Sequence, residues 1–163
     1  MRGGFSGQQR EVVEVRERII ESAKEIFSSM LMMDISAIEE ANTEAHPLVD
    51  SISGVIGLAG THKGVLAIHL PHRVAIAITG SFLGMDVEEM NSDVEDAIGE
   101  LANMLGGNVK SILSEKGRDI NLSMPTTISG QHYDYQPNKD AERTLIQFEC
   151  ETGPFTVELQ LEK

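Results

Sequence analysis

The apolar positions recur with a helical period at the start of the chain and then with a strand period. Over residues 11 to about 33 they lie three and four residues apart, which predicts a long amphipathic helix. Residues 48–70 are predicted to form two strands joined by a turn at residues 60–64. Pro71 suits the first position of a short, nearly all-apolar helix, and Gly84 suits its end. The first half is therefore predicted as helix, two strands and a buried helix.

A second long helix is predicted from its boundary residues. The segment Ser92-Asp93-Val94-Glu95 fits a capping box, in which Ser92 caps the helix and Glu95 reaches back. Lys116-Gly117 is predicted to close this helix, with the glycine as its C-terminal cap. Residues 122–128 are a less certain strand because Pro125 interrupts them, and residues 130–141 are predicted as a loop.

The end of the chain alternates apolar and polar residues with a period of two. Ile146, Phe148 and Cys150 are followed by a turn and a second alternating run, which predicts a hairpin with one face wet. The order of elements predicts an α+β fold, a mostly antiparallel sheet with helices packed against a face. We expect residues 1–10 to be a disordered N-terminus and residues 11–163 to form one domain.

Composition and charge narrow the class of partner. The formal net charge is −13 and the pI is about 4.7, so binding to nucleic acid or anionic lipid is disfavoured. No apolar run is long enough to span a bilayer, and the first residues do not form a signal peptide, so a cytoplasmic protein is expected. Cys150 is the single cysteine and is predicted to be a buried thiol. The histidines, His69 and His72 among them, show no metal-site spacing and are predicted to lie at the surface or in turns.

The predicted helix that begins near Ser92 carries polar chemistry off its apolar stripe. At about 100° per residue, Glu100 and Asn103 fall outside the stripe and are neighbours, with Cβ atoms about 5–6 Å apart. Gly99, Gly106 and Gly107 surround them on what is predicted to be an exposed side. Each glycine in a helix costs roughly 0.5–1 kcal/mol relative to alanine, so three of them suggest that a backbone approaches closely there.

Two explanations of this face remain open from the pattern alone. The glycines could let this helix pack on a neighbouring helix, with Glu100 and Asn103 merely exposed polar residues. Alternatively, the face could be shaped to receive a partner. The spacing of the pair does not decide between them, because Glu-x-x-Asn by itself is a weak motif.

The wider motif is more specific than the pair. Asp96-x-x-x-Glu100-x-x-Asn103, followed by Gly-Gly-Asn108, resembles the signature helix of the chemotaxis phosphatases of the CheX/CheC/FliY type. The chain has one credible copy of this helix, which is more similar to CheX than to CheC. The resemblance implies a CheC/CheX-like fold and an enzyme that removes phosphate from the phospho-aspartate of a CheY-like response regulator.

The resemblance also implies roles for individual residues. Asn103 would orient the attacking water, and Glu100 would pair with the regulator's active-site lysine. Asp96 and the three glycines would contact the partner. The protein would need no cofactor or metal of its own, because Mg²⁺ would come with the receiver domain. A homodimer with a sheet continuing across subunits is implied as well, and the C-terminal hairpin could offer the edge.

Two other functions are compatible with the same residues. One is a non-catalytic binding module of the same fold that sequesters or localises a signalling partner. The other is a purely structural dimer without a receiver partner.

Overall fold

A computed structural model describes residues 7–38, 48–114, 118–135 and 140–162, with side chains from residue 13 onward. The described residues form helices and strands in an order close to the predicted one. The helices are α1 (Gly7–Leu31), α2 (His72–Leu83) and α3 (Ser92–Leu113). The strands are β1 (Ser36–Ile38), β2 (Leu48–Gly60), β3 (Gly64–Pro71), β4 (Ile120–Leu122), β5 (Thr126–Tyr133), β6 (Ala141–Cys150) and β7 (Gly153–Glu162).

All the strands belong to one antiparallel sheet. Its order is β1-β6-β7-β3-β2, and both β4 and β5 pair with the other edge of β2. The two hairpins, β2–β3 and β6–β7, join through the pairing of β3 with β7. β7 therefore lies inside the sheet, and of the C-terminal hairpin only β6 lies near an edge. The predicted α+β class with a mostly antiparallel sheet is confirmed.

The helices cover one face of this sheet and form the core with it. Phe27 of α1 stacks on Phe155 of β7 with ring centroids 5.2 Å apart, and Phe148 of β6 lies 5.4 Å from the same ring. α3 lies mainly on β2, and α2 lies beside α3. The predicted apolar stripe of α3 is confirmed, because its first five members are at most 2% exposed: Val94, Ile98, Leu101, Leu105 and Val109.

The ends of the two long helices differ from prediction by a few residues. α1 starts at Gly7 rather than near residue 11, so it includes the last residues of the segment 1–10 that was predicted to be disordered. Residues 1–6 lie outside the described part. Asn91, not Ser92, caps α3, and its side-chain oxygen accepts a hydrogen bond from the Val94 amide at 3.1 Å. α3 ends at Leu113, and the predicted closing pair Lys116-Gly117 lies outside the described residues.

The end of α2 and the strands after α3 also refine the prediction. Gly84 ends α2 as predicted, in the left-handed conformation. Pro71 is the last residue of β3 and the N-cap residue of α2, so it precedes the helix instead of occupying its first position. Pro125 separates two strands, β4 and β5, where one interrupted strand was predicted. The predicted loop over residues 130–141 is wrong at its start, because β5 continues to Tyr133. The sequence did not indicate this part of β5 because its residues are mostly polar. A strand at the edge of a sheet that buries neither face needs no alternation of apolar residues.

The second face of the sheet, opposite the helices, is wet only in part. Glu149 and Glu162 of the C-terminal hairpin are exposed there as predicted, but Glu158 and Gln160 of β7 are 2% and 6% exposed. The end of β5 and the residues after it cover part of this face: the Tyr133 hydroxyl lies 2.8 Å from Ser53 Oγ, and the Tyr135 ring lies 4.7 Å from the His69 ring. Alternation along a strand predicts which residues lie on opposite faces of the sheet. It cannot predict whether a segment distant in sequence covers one of those faces.

Candidate phosphatase site on helix α3

A polar strip runs along the solvent side of α3. Asp96 and Glu100 are exposed, and Asn103 and Gly107 are half-buried further along the same side. These positions lie within about 60° of one another around the helix axis, opposite the buried stripe. Since that stripe fixes the rotation of α3 on the sheet, it also fixes the direction in which the strip faces.

The side chains of Glu100 and Asn103 are not engaged within the protein. Among the described residues, neither side chain takes part in a hydrogen bond or an ion pair. Both therefore keep their full capacity to bind something from outside: Glu100 as an acceptor, and the Asn103 carboxamide as donor and acceptor together. The structure brings together the pair that the sequence predicted.

Two of the three glycines predicted to surround the pair on an exposed side are buried against the sheet. A Cβ atom on Gly106 would lie 3.0 Å from Cγ2 of Ile56, and one on Gly99 would meet Pro125 and Thr127 at 3.8–3.9 Å. The prediction of an exposed glycine face is therefore wrong for Gly99 and Gly106. At Gly106 the missing side chain lets α3 approach β2 closely, whereas an added methyl group at Gly99 would make only ordinary contacts. The nearest contacts of both glycines lie on the strands and at Pro125 beside them, not on a neighbouring helix as the alternative supposed.

The third glycine lies on the open strip. A Cβ atom on Gly107 would meet no atom within 4 Å. Packing inside the protein therefore does not require glycine at this position. Gly107 remains a candidate for contact with a partner, beside Asp96, Glu100 and Asn103.

A groove opens beside the strip, between the end of α2 and the start of α3. Its volume is about 300 Å³. It is lined by residues of both helices: Phe82, Leu83, Asp93, Asp96, Ala97 and Glu100. The sequence did not indicate this groove, because α2 is apolar nearly throughout and was predicted to be buried, whereas Leu83 is 44% exposed.

The second face holds a polar cluster that the sequence also missed. Glu158 accepts a hydrogen bond from the Arg143 guanidinium at 2.9 Å, and its carboxylate lies 4.0 Å from His69 Nε2. His69 Nδ1 lies 2.6 Å from Ser53 Oγ. Burial lowers the pKa of His69, with Glu158 opposing that effect and Arg143 adding to it. His69 is thus buried and hydrogen-bonded, not a surface or turn histidine as predicted.

Cysteine and histidine side chains of the described residues take part in packing and hydrogen bonding. Nowhere in the described ranges do three His, Cys, Asp or Glu side chains converge so that they could hold a metal ion. Cys150 is buried, as predicted, and lies 3.3 Å from the Thr152 hydroxyl. His72 Nε2 lies 2.9 Å from the Ser51 carbonyl oxygen and links α2 to β2.

Of the described helices, none is both long and apolar enough to cross a membrane.

An antiparallel sheet with helices on one face and a Glu-x-x-Asn strip on the solvent side of α3 defines a protein of the CheC/CheX-like class. The comparison with protein families agrees, since the model described as chemotaxis phosphatase CheX matches residues 52–149, more than half of the chain. The chain therefore belongs to the CheX family of chemotaxis phosphatases.

Individual relatives agree with this family. The CheY-P phosphatase CheX of Thermotoga maritima is 29% identical over 82 residues, which cover 50% of this chain and 53% of that protein. The chain thus spans about half the length of this curated relative. A CheC-like superfamily protein from Shewanella sp. PV-4 has a crystal structure that matches with a TM-score of 0.82 and 25% identity, over 93% of this chain and 99% of that one.

A structure with lower identity shares the fold. It is the crystal structure of a CheX–CheY–BeF₃–Mg²⁺ complex from Borrelia burgdorferi. The match has a TM-score of 0.67 and 18% identity and covers 90% of this chain and 97% of that one. At this identity the likeness concerns the fold alone.

Proposed function

We propose that this protein dephosphorylates the phospho-aspartate of a CheY-like receiver domain in chemotaxis signalling. The observation that carries the proposal is the pair Glu100 and Asn103, side by side on a firmly packed helix with no partner among the described residues. Unpaired polar side chains carried by a rigid element suit the reception of another protein's reacting group.

The chemistry proposed for Asn103 is the positioning of water. Hydrolysis of an acyl phosphate needs a water molecule in line with the bond that breaks, and positioning contributes more than a strong base does. A carboxamide can accept a hydrogen bond from the water and donate one to a phosphoryl oxygen without adding negative charge. A carboxylate at the same position would repel the phosphoryl group.

The role proposed for Glu100 is docking. Its carboxylate would pair with the active-site lysine of the receiver, which holds the two proteins in register. The Mg²⁺ that neutralises the phosphoryl oxygens would arrive with the receiver as part of the substrate. Water attacks phosphorus, the bond to the aspartate oxygen breaks, and inorganic phosphate and the free carboxylate result.

The relatives support the class of substrate. The T. maritima relative is a CheY-P phosphatase, and the fold-sharing B. burgdorferi protein crystallised with CheY, BeF₃ and Mg²⁺. The homodimer implied by the family resemblance stays a prediction. Within the described residues, the edge it would use on the hairpin side of the sheet is formed by β1 and β6.

The proposal is tested by Asn103→Ala against a receiver domain carrying radiolabelled phosphate. We expect the rate of phosphate release to fall about 100-fold, the order of effect seen when a reacting group is mispositioned. Binding to the receiver should be retained, since Glu100 is untouched. Asn121→Ala, which removes an exposed carboxamide on β4, is the matched control and should keep the wild-type rate.

The same assay separates docking from chemistry and enzyme from binding module. Glu100→Lys should raise KM, while Glu149→Lys, the same charge reversal on an exposed residue of β6, should not. If Asn103→Ala binds and dephosphorylates like the wild type, the water-positioning role is wrong. If the wild-type protein binds a receiver but never accelerates its dephosphorylation, the binding module is the correct function.

A further inference from the structure

The groove between α2 and α3 has apolar side chains that the fold leaves partly uncovered. Phe82 and Ala97 form its inner surface, with Ala97 only 5% exposed. Leu83, which also lines the groove, is 44% exposed. A large apolar side chain left exposed at a concave spot is typical of a surface that contacts another protein.

The caps of the two helices hold the groove in shape. Gly84 turns the chain out of α2 in the left-handed conformation, with its amide bonded to the Gly80 carbonyl oxygen. Asn91 then fixes the start of α3. A groove whose two walls are held by capped, packed helices needs little rearrangement to receive a side chain, which lowers the entropic cost of binding.

The charge around the groove selects the kind of partner. Asp93, Asp96 and Glu100 line it, and the sequence has no Lys or Arg between Arg73 and Lys110. A partner side chain entering this groove would meet apolar carbon at the bottom and three carboxylates at the rim. The complementary surface is an apolar side chain flanked by Lys or Arg.

We propose that this groove is the specificity contact for the receiver domain, which inserts one apolar side chain beside a basic one. The inference rests on the proposed function, because it assigns the groove to the partner of the Glu100–Asn103 strip. Glu100 borders both the groove and the strip. A receiver seated in the groove would therefore be held next to Asn103, so the groove sets affinity and the strip sets chemistry.

Binding to a receiver loaded with beryllofluoride and Mg²⁺ tests the groove without depending on turnover. The probe is the CheY-like receiver that the wild-type protein binds most tightly among those of its source organism. Leu83→Gln should weaken this binding about tenfold, as expected for the loss of one leucine-sized apolar contact. Asp96→Lys should weaken it similarly and should make the affinity less dependent on salt.

Matched controls separate the groove from general effects of the substitutions. Val13→Gln changes an apolar residue of α1 that is 45% exposed, close to the exposure of Leu83, and Glu149→Lys repeats the charge reversal on β6. Neither control should alter receiver binding. Circular dichroism should show that all four variants keep the wild-type fold.

The outcomes for the groove and for the proposed chemistry are distinguishable. In turnover, Leu83→Gln and Asp96→Lys should raise KM and leave kcat near the wild-type value, whereas Asn103→Ala should lower kcat. Wild-type affinity in both groove variants overturns this inference, even if Asn103→Ala abolishes turnover. Weakened binding in a protein without phosphatase activity supports the groove and overturns only the chemistry. A panel in which no receiver binds the wild type overturns both.

Discussion

At the scale of single residues, the polar strip of α3 contains one position whose identity the fold does not explain. Gly106 and Gly107 are adjacent in the chain, yet a Cβ atom would crowd Ile56 at the first and meet nothing at the second. Glycine at an open helical position costs stability, so its presence at Gly107 suggests a use outside the folded chain. That use would be the clearance of a partner's backbone over Glu100 and Asn103.

Gly107→Ala is expected to stabilise the protein and weaken its function. The free energy of unfolding should rise by roughly 0.5–1 kcal/mol, because alanine is the better helix former and has room. Receiver binding should weaken if the partner approaches closely here. Ser28→Ala, at an exposed position of α1, is the control for binding. Unchanged affinity in Gly107→Ala would show that this glycine gives no clearance.

At the scale of elements, glycines set how closely α3 lies on β2. A Cβ atom on Gly54 of β2 would lie 3.0 Å from the carbonyl oxygen of Ile98 and 3.1 Å from Cβ of Ala102. Gly106 removes the same obstacle from the helix side. The helix that carries the strip is therefore positioned by close backbone approach as well as by its apolar stripe.

Gly106→Ala is expected to destabilise the protein even though it improves helix propensity. The added methyl group would overpack against Ile56, at a cost of about 1–3 kcal/mol. Chemical denaturation measures the loss. In an Ile56→Ala background the same substitution should cost less, because the obstructing atoms are gone. An equal loss in both backgrounds would contradict the contact with Ile56.

The sequence predicted some of these residues and element boundaries and not others. The stripe of α3 and the pair Glu100 and Asn103 followed from helical period, since one periodic face specifies both what is buried and what is not. The burial of Gly99 and Gly106 could not be predicted, because glycine has no side chain whose polarity reports its environment. The cap at Asn91 was missed by one residue, because Asn91 and Ser92 are both good caps.

At the scale of the whole molecule, ionisable groups buried on the second face connect stability to pH. His69 lies among Glu158, Arg143 and Tyr135, where burial lowers the pKa of His69 and raises the pKa of Tyr135 to about 12. Sequence alternation marked this face as wet, since Glu158 and Gln160 are polar. Tyr135, just after β5, lies over this part of the face, and a contact between residues so far apart in sequence leaves no local pattern.

The stability of the protein is expected to decline on both sides of neutral pH. As pH falls below 6.5, the unfolded state takes up a proton on His69 that the folded state resists, so the free energy of unfolding falls by at most about 1.4 kcal/mol per pH unit from this group. As pH rises above 10, the unfolded state loses the Tyr135 proton that the folded state retains up to about 12, so stability falls again.

Substitutions at His69 and Tyr135 test whether these residues cause the two losses of stability. Denaturation at pH 7 and pH 5 should show a smaller acid loss in His69→Gln than in the wild type, while the control His132→Gln, at an exposed position of β5, should not reduce the loss. Tyr135→Phe should flatten the alkaline decline. An acid loss that survives His69→Gln unchanged would assign it to other groups.

The pairing of β3 with β7 also affects how fast the protein can fold. It joins Gly64 to Leu161 and His69 to Thr156, residues separated by more than half of the chain, and the loop it closes contains both α2 and α3. Local hairpins and helices form in microseconds. Closing a long loop is slow, because its conformational entropy is lost before the contacts that compensate this loss have formed. We therefore expect the two hairpins to form early and the complete sheet to appear much later. Until then α1 has no finished surface beneath it, so we expect a newly made chain to have its helices well before the Glu100–Asn103 strip is held in place.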